Sequence, residues 1–85
     1  MPQTSADSGR FTLYGTSACH LCELAEDMLQ PLCAAADYEY TKVDISDSDE
    51  LFQRYGVRIP VLADPRGREL DWPFTPEQLR VFCSG

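Results

Sequence analysis

Leu13-Tyr14-Gly15-Thr16-Ser17-Ala18-Cys19-His20-Leu21-Cys22 is the stretch that decides the fold. It opens inside Arg10-Phe11-Thr12-Leu13-Tyr14, a short β-prone run that Gly15 stops, which predicts a first strand. After it, the apolar residues Leu21, Leu24, Ala25, Met28, Leu29 and Leu32 recur at intervals of three and four, which predicts one face of a helix. Glu23, Glu26 and Asp27 fall on the opposite face near the helix start, where acidic side chains suit the helix dipole. Pro31 lies inside the pattern and predicts a kink or an end there. Two cysteines with two residues between them therefore sit where a strand becomes a helix. Three residues apart in one helical turn, their sulfurs come within disulfide reach without large backbone movement.

Working outward, Tyr38 to Ile45 is rich in aromatic and β-branched residues and predicts a second strand. Ser46 or Asp47 offers an N-cap for a short helix over about 47–55, which Gly56 stops. Ile59-Pro60-Val61-Leu62-Ala63 predicts a third strand opening at a proline. Asp64-Pro65-Arg66-Gly67 has turn chemistry, and Arg68-Glu69-Leu70 starts a fourth strand. Thr75-Pro76-Glu77-Gln78 combines a Thr cap, Pro at the first helical position and Gln at the capping-box position, so a last helix is predicted over about 76–82. The order is βαβαββα. A helical crossover makes the first two strands parallel, and a tight turn makes the last two antiparallel. The predicted fold is α/β: a four-stranded mixed sheet flanked by three helices. It occupies residues 10–85 as one domain, behind a flexible tail at residues 1–9.

The formal net charge of -7, with the seven basic residues forming no run, argues against nucleic acid and anionic membrane surfaces as partners. Met1 to Gly9 is small and polar, without the features of a signal peptide, and no apolar stretch is long enough to span a membrane. The expected location is the cytoplasm. In that reducing compartment four cysteines read as chemistry rather than as a stapling framework.

A C-x-x-C at the strand-to-helix junction of a βαβ unit is a redox signature. The thiolate is the nucleophile, and a free cysteine is only about 3% ionised at neutral pH. A helix N-terminus favours the anion by roughly 0.3 to 2 kcal/mol. Protonated His20 would add to that and Glu23 would oppose it, while no Lys or Arg lies between Gly15 and Pro31. The expectation is a moderately activated Cys19 at the helix mouth, resolved by Cys22 beneath it, working as a reductant rather than a strong oxidant. Two rivals are a metal or iron–sulfur module held by Cys19 and Cys22, and a non-catalytic interaction domain. For the metal, His20, Cys33 and Cys83 are the other candidate ligands, but no second C-x-x-C or paired histidine exists, so no metal is assigned. Cys33, three turns along the helix, and Cys83, near the end of the last helix, read as core residues.

Leu13-Tyr14-Gly15 leading into Cys19-His20-Leu21-Cys22, together with Tyr55-Gly56-Val57-Arg58-Ile59-Pro60-Val61-Leu62, resembles the thioredoxin superfamily, and most closely its small glutaredoxin-like proteins, over about residues 10 to 83. The resemblance implies a cis Ile59–Pro60 bond beside the Cys19 sulfur, Ile59 backbone groups open to a substrate strand, and Arg58 as an anion contact. The expected site is thus Cys19 and Cys22 as the catalytic pair, with Ser17, Ala18, His20, Arg58, Ile59 and Pro60 as substrate contacts. Partners would be a disulfide-containing protein or small molecule and an external thiol reductant. No resident cofactor is implied, and glutathione enters at most as a co-substrate. Glutaredoxins usually carry a Gly-Gly pair and an acid-binding helix start after the last strand. This chain has Asp71-Trp72-Pro73-Phe74-Thr75-Pro76-Glu77, where Pro76 lacks an amide donor and Glu77 repels carboxylates. That departure disfavours glutathione. Trp72 and Phe74 read as cover for the sheet edge.

Overall fold

The computed structural model describes residues 10–17 and 19–84; the tail expected over residues 1–9 lies outside the described residues. Strand β1 (Arg10–Gly15) leads into helix α1 (His20–Ala36), then β2 (Glu39–Asp44), a 3-10 turn (Ile45–Asp47), α2 (Asp49–Tyr55), β3 (Val61–Ala63), β4 (Glu69–Asp71) and α3 (Pro76–Ser84). The sheet order is β2-β1-β3-β4. β1 runs parallel to β2 and antiparallel to β3, and β3 is antiparallel to β4. The predicted element order and both predicted pairings are those of the structure.

Alternation along the strands builds the layers, since successive side chains leave opposite faces. From β1, Phe11 and Leu13 enter one core and Tyr14 enters the other; from β3, Leu62 and Val61 divide in the same way. The larger core joins the sheet to Ala25, Leu29 and Cys33 of α1 and to Leu79 and Cys83 of α3. The smaller core packs Ile45, Tyr55 and Leu51 against the opposite face. Phe74 is 5% exposed and meets Trp72 edge-on at 5.0 Å, so it belongs to the interior rather than to an edge cover.

Three local expectations are corrected. The buried stripe of α1 is Cys22, Ala25, Leu29 and Cys33, whereas Leu21 and Leu24 remain exposed. Cys22 takes the inward position that a pattern of aliphatic residues gave to its neighbours. Pro31 does not end α1, which continues to Ala36. Pro31 is exposed, and the turn beyond it is anchored by buried Cys33 and closed by Asp37 in the left-handed region, φ 61°, where Asp is tolerated. Cys33 oxygen also accepts the Tyr38 N–H at 2.8 Å. The cap of α2 is Ser48, not Ser46 or Asp47. Its hydroxyl accepts the Leu51 N–H at 3.3 Å, because Asp44 has already capped a separate 3-10 turn through the Ser46 N–H at 2.9 Å.

The predicted end of the chain is accurate. Thr75 Oγ1 accepts the Gln78 N–H at 3.1 Å, and Gln78 Oε1 accepts the Thr75 N–H at 2.9 Å, a reciprocal capping box. At the β3–β4 turn, Asp64 Oδ1 accepts the N–H groups of Arg66 and Arg68 at 3.0 and 2.8 Å, and Gly67 sits at φ 92°. The site therefore rests on a mixed sheet whose strand β1 is held on both sides, and its Gly15 end meets the start of α1.

Candidate redox site

Cys19 is the N-cap of α1, with extended backbone at φ -98° and ψ 110°. Its Sγ accepts the Cys22 N–H at 3.1 Å, the place usually taken by a Ser or Asp oxygen. Cys19 and Cys22 are joined as a disulfide, with their Cα atoms 5.2 Å apart, inside the ordinary range for such a bridge. Cys19 is half-buried and Cys22 is 9% exposed. The outer residue of the pair is thus partly exposed and the inner one buried.

Gly15 makes this seating possible. It is buried, and a Cβ built on it would lie 2.6 Å from Cys22 Sγ and 3.2 Å from Cys22 Cβ. The strand end and the inner cysteine occupy adjoining space that no larger residue leaves free. The sequence marks Gly15 as a strand stop; the signal for its closer role is its place four residues before the first cysteine.

Ile59–Pro60 is cis, as the resemblance implies, and so is Trp72–Pro73, for which the sequence carries no signal. Tyr14 pairs with Val61 across β1 and β3, so Pro60 enters β3 at the register level of Gly15. Pro60 is fully buried, and its carbonyl accepts the Trp72 N–H at 3.1 Å. The Ile59 N–H donates to the Tyr55 carbonyl at 3.0 Å, so it is not open to a substrate strand as expected. Arg58 is engaged by carboxylates. It donates through Nε and Nη2 to Asp71 at 3.1 and 2.7 Å and through Nη2 to Glu69 at 2.7 Å, with its guanidinium 5.1 Å from the Tyr55 ring centre. Asp71, then Glu69, push its already high pKa further up. Among the other expected contacts, Ser17 is exposed at the mouth of the site, and Ala18 lies outside the described residues. His20 is exposed, with Nδ1 3.7 Å from Glu23 Oε1, an ion pair only when the ring is protonated.

A cleft of about 410 Å³ opens onto the disulfide, and its walls include Thr16, Ser17, Cys19, Cys22, Glu26 and Lys42. Glu26 lies four residues after Cys22 on α1, and periodicity assigns it to the face opposite the apolar stripe. It accepts the Tyr40 hydroxyl at 2.7 Å and Lys42 Nζ at 3.2 Å, which ties α1 to edge strand β2. The Tyr40 hydroxyl, and then Lys42, outweigh burial and hold the Glu26 carboxyl below its usual range. Cys33 and Cys83 are buried free thiols in the larger core. Among the described residues, no three His, Cys, Asp or Glu side chains gather as a metal site.

The whole described domain has relatives. A family model for the glutaredoxin-like domain (DUF836) matches residues 10–82. A protein from X. campestris, the structural genomics target XcR50, is similar at 43% identity, with a TM-score of 0.76, over 87% of this chain and 95% of that one. Protein Ne2328 from Nitrosomonas europaea is similar at 25% identity, with a TM-score of 0.73, over 86% and 88%. Thioredoxin 1 from Thermosipho africanus, at 11% identity and a TM-score of 0.68 over 88% and 90%, shares the fold. A comparison with curated proteins finds no match. The βαβαββα sheet is thus a thioredoxin-like fold carrying a Cys19–Cys22 pair, and the chain belongs to the glutaredoxin-like family of the thioredoxin superfamily.

Proposed function

We propose that this protein is a dithiol oxidoreductase that reduces disulfides in proteins or small molecules. The observation that carries the reading is the unequal pair at the head of α1: a half-buried Cys19, bonded to buried Cys22, whose sulfur also accepts a helix N-terminal N–H. In the reduced protein, amide donors and the helix dipole favour a Cys19 thiolate. The thiolate attacks one sulfur of a substrate disulfide, a new Cys19–substrate bond forms, and the other substrate sulfur leaves as a thiolate. Cys22 then gives up its proton and attacks Cys19 Sγ, and the second substrate sulfur departs. Two electrons have passed to the substrate, and the Cys19–Cys22 bond has re-formed. An external thiol reductant returns the pair to the dithiol.

Ser17 at the mouth and the Ile59 carbonyl beside cis-Pro60 are the proposed contacts that orient a substrate. Arg58, already bonded to Asp71 and Glu69, acts by fixing the Tyr55–Pro60 loop. The free Cys33 and Cys83 thiols fit work in a reducing compartment, which we take to be the cytoplasm. The test is trapping: reduced Cys22→Ser protein, mixed with an insulin-like disulfide substrate, accumulates a mixed disulfide on Cys19 visible by mass spectrometry. Cys19→Ser abolishes both the adduct and turnover. Substrate reduction that survives in Cys19→Ser overturns the proposal.

A further inference from the structure

The cleft beside the disulfide has a lopsided charge. Among the described residues its walls carry three carboxylates, from Glu23, Glu26 and Asp44, against one cation, Lys42. Lys42 is already paired, because its Nζ is bonded to Glu26 Oε1 at 3.2 Å, so its charge is offset by Glu26, which is bonded in turn by Tyr40. Asp44 Oδ1 accepts only uncharged donors from Ser46, its N–H at 2.9 Å and its hydroxyl at 2.6 Å, so its charge is not cancelled. Asp44 ends β2 directly across from Gly15, the residue that abuts Cys22 Sγ. Glu23 stands one residue beyond Cys22, and among the described residues His20, with Nδ1 3.7 Å from its Oε1, is its one potential cationic partner. Arg58, the basic residue expected to greet anions, is spent on Asp71 and Glu69.

We infer that the site selects its substrates by charge, taking disulfides flanked by cationic groups, such as cysteines beside basic residues, ahead of neutral ones and these ahead of anionic ones. The inference rests on the oxidoreductase reading and assigns Glu23 and Asp44 as the residues that set the preference. The reacting sulfur must enter beside these carboxylates, so their field acts on the mixed disulfide as it forms and not only on encounter. With a net local charge of about -2, Coulomb interaction screened at 0.1 M ionic strength favours a cationic over an anionic disulfide by roughly fivefold to tenfold.

Three small disulfides of matched size test this: cystamine (cationic), hydroxyethyl disulfide (neutral) and dithiodiglycolate (anionic). The rate at which each oxidises the reduced full chain is divided by the rate at which it oxidises dithiothreitol. That ratio removes the differing chemistry of the leaving thiols. The expected order is cationic, neutral, anionic, compressed to less than about twofold at 1 M salt, where the Debye length is about 3 Å. The double variant Glu23→Gln/Asp44→Asn, checked for native folding by circular dichroism, loses most of the discrimination at low salt. Equal normalised rates for all three disulfides, with reaction still dependent on Cys19, overturn the charge selection and leave the oxidoreductase intact. No reaction with any of them overturns both.

Discussion

Adding one methyl group at Gly15 probes the seating of the inner cysteine. An Ala Cβ would stand 2.6 Å from Cys22 Sγ, while non-bonded heavy atoms prefer roughly 3.5 to 4.0 Å, so about 1 Å of displacement is demanded. Neither partner yields freely, because Gly15 is paired with Asp44 on β2 and Cys22 is tied to Cys19 at the head of a long helix. Overpacking of this kind costs about 1 to 3 kcal/mol. With an m-value near 1 kcal/mol/M, the urea midpoint of Gly15→Ala falls by roughly 1 to 3 M. The cost is larger in the oxidised protein, where the bridge prevents Cys22 from turning away. Each 1 kcal/mol of that difference raises the reduction potential of the pair by about 20 mV. A double-mutant cycle isolates the contact: Cys22→Ala removes the sulfur, so Gly15→Ala in that background costs less than in the parent reduced protein. Relief is incomplete because Cys22 Cβ, at 3.2 Å, remains. Additive effects, or a Gly15→Ala protein as stable as the parent in both redox states, would refute the reasoning.

Thiol labelling of the reduced native protein should modify Cys19 rapidly and leave Cys33 and Cys83 unreacted until denaturant is added. Burial pushes the Cys33 thiol up, and burial with Cys33 nearby pushes Cys83 up to about 12; fast modification of either in the native state would contradict their packing. Thr75→Ala removes the acceptor for the Gln78 N–H and should cost about 1 kcal/mol, read as a fall in melting temperature of roughly 4 to 8 °C. Stability should also fall at both ends of the pH range. Glu69 is held low by Arg58 and then Tyr55, and Asp71 is held low by Arg58. At Asp64, burial acts upward but is overcome by the Arg68 side chain and the N–H groups of Arg68 and Arg66. A depressed carboxyl contributes stability that is present above its unfolded value near 4 and lost as pH falls through the folded value. Tyr55 runs the other way. Burial, then its bond to Glu69, raises it to about 12, so its contribution holds below about pH 10 and disappears as pH rises through 12. Urea midpoints across the range should show both limbs, and Tyr55→Phe should flatten the alkaline one.

What the residues reveal without coordinates depends on how local the cause is. The capping box from Thr75 to Gln78 and the Asp64–Gly67 turn each span four residues, so each is readable. The crossover between parallel strands and the cysteine pair at its start were readable for the same reason. The tie between Glu26, Tyr40 and Lys42 spans 14 to 16 positions, and that between Arg58, Glu69 and Asp71 spans 11 to 13. No periodicity announces either, and Arg58 therefore looked like a free cation. The register of α1 failed differently. Cys22 lies inward beneath Cys19 as expected, but the aliphatic spacing also assigns Leu21 and Leu24 to the inward stripe, and both are exposed. Around β2, two consecutive caps, Asp44 and Ser48, compete within five residues, and only the observed hydrogen bonds rank them.

The first turn of α1 is closed by the Cys19 sulfur, the atom proposed above to exchange partners. On that proposal electron transfer and helix initiation share one atom, and whatever alters its charge or valence is felt by the amide of residue 22. That amide is a natural reporter: its proton chemical shift and solvent-exchange rate register whether the outer sulfur is free, bridged or carrying cargo, without any attached probe.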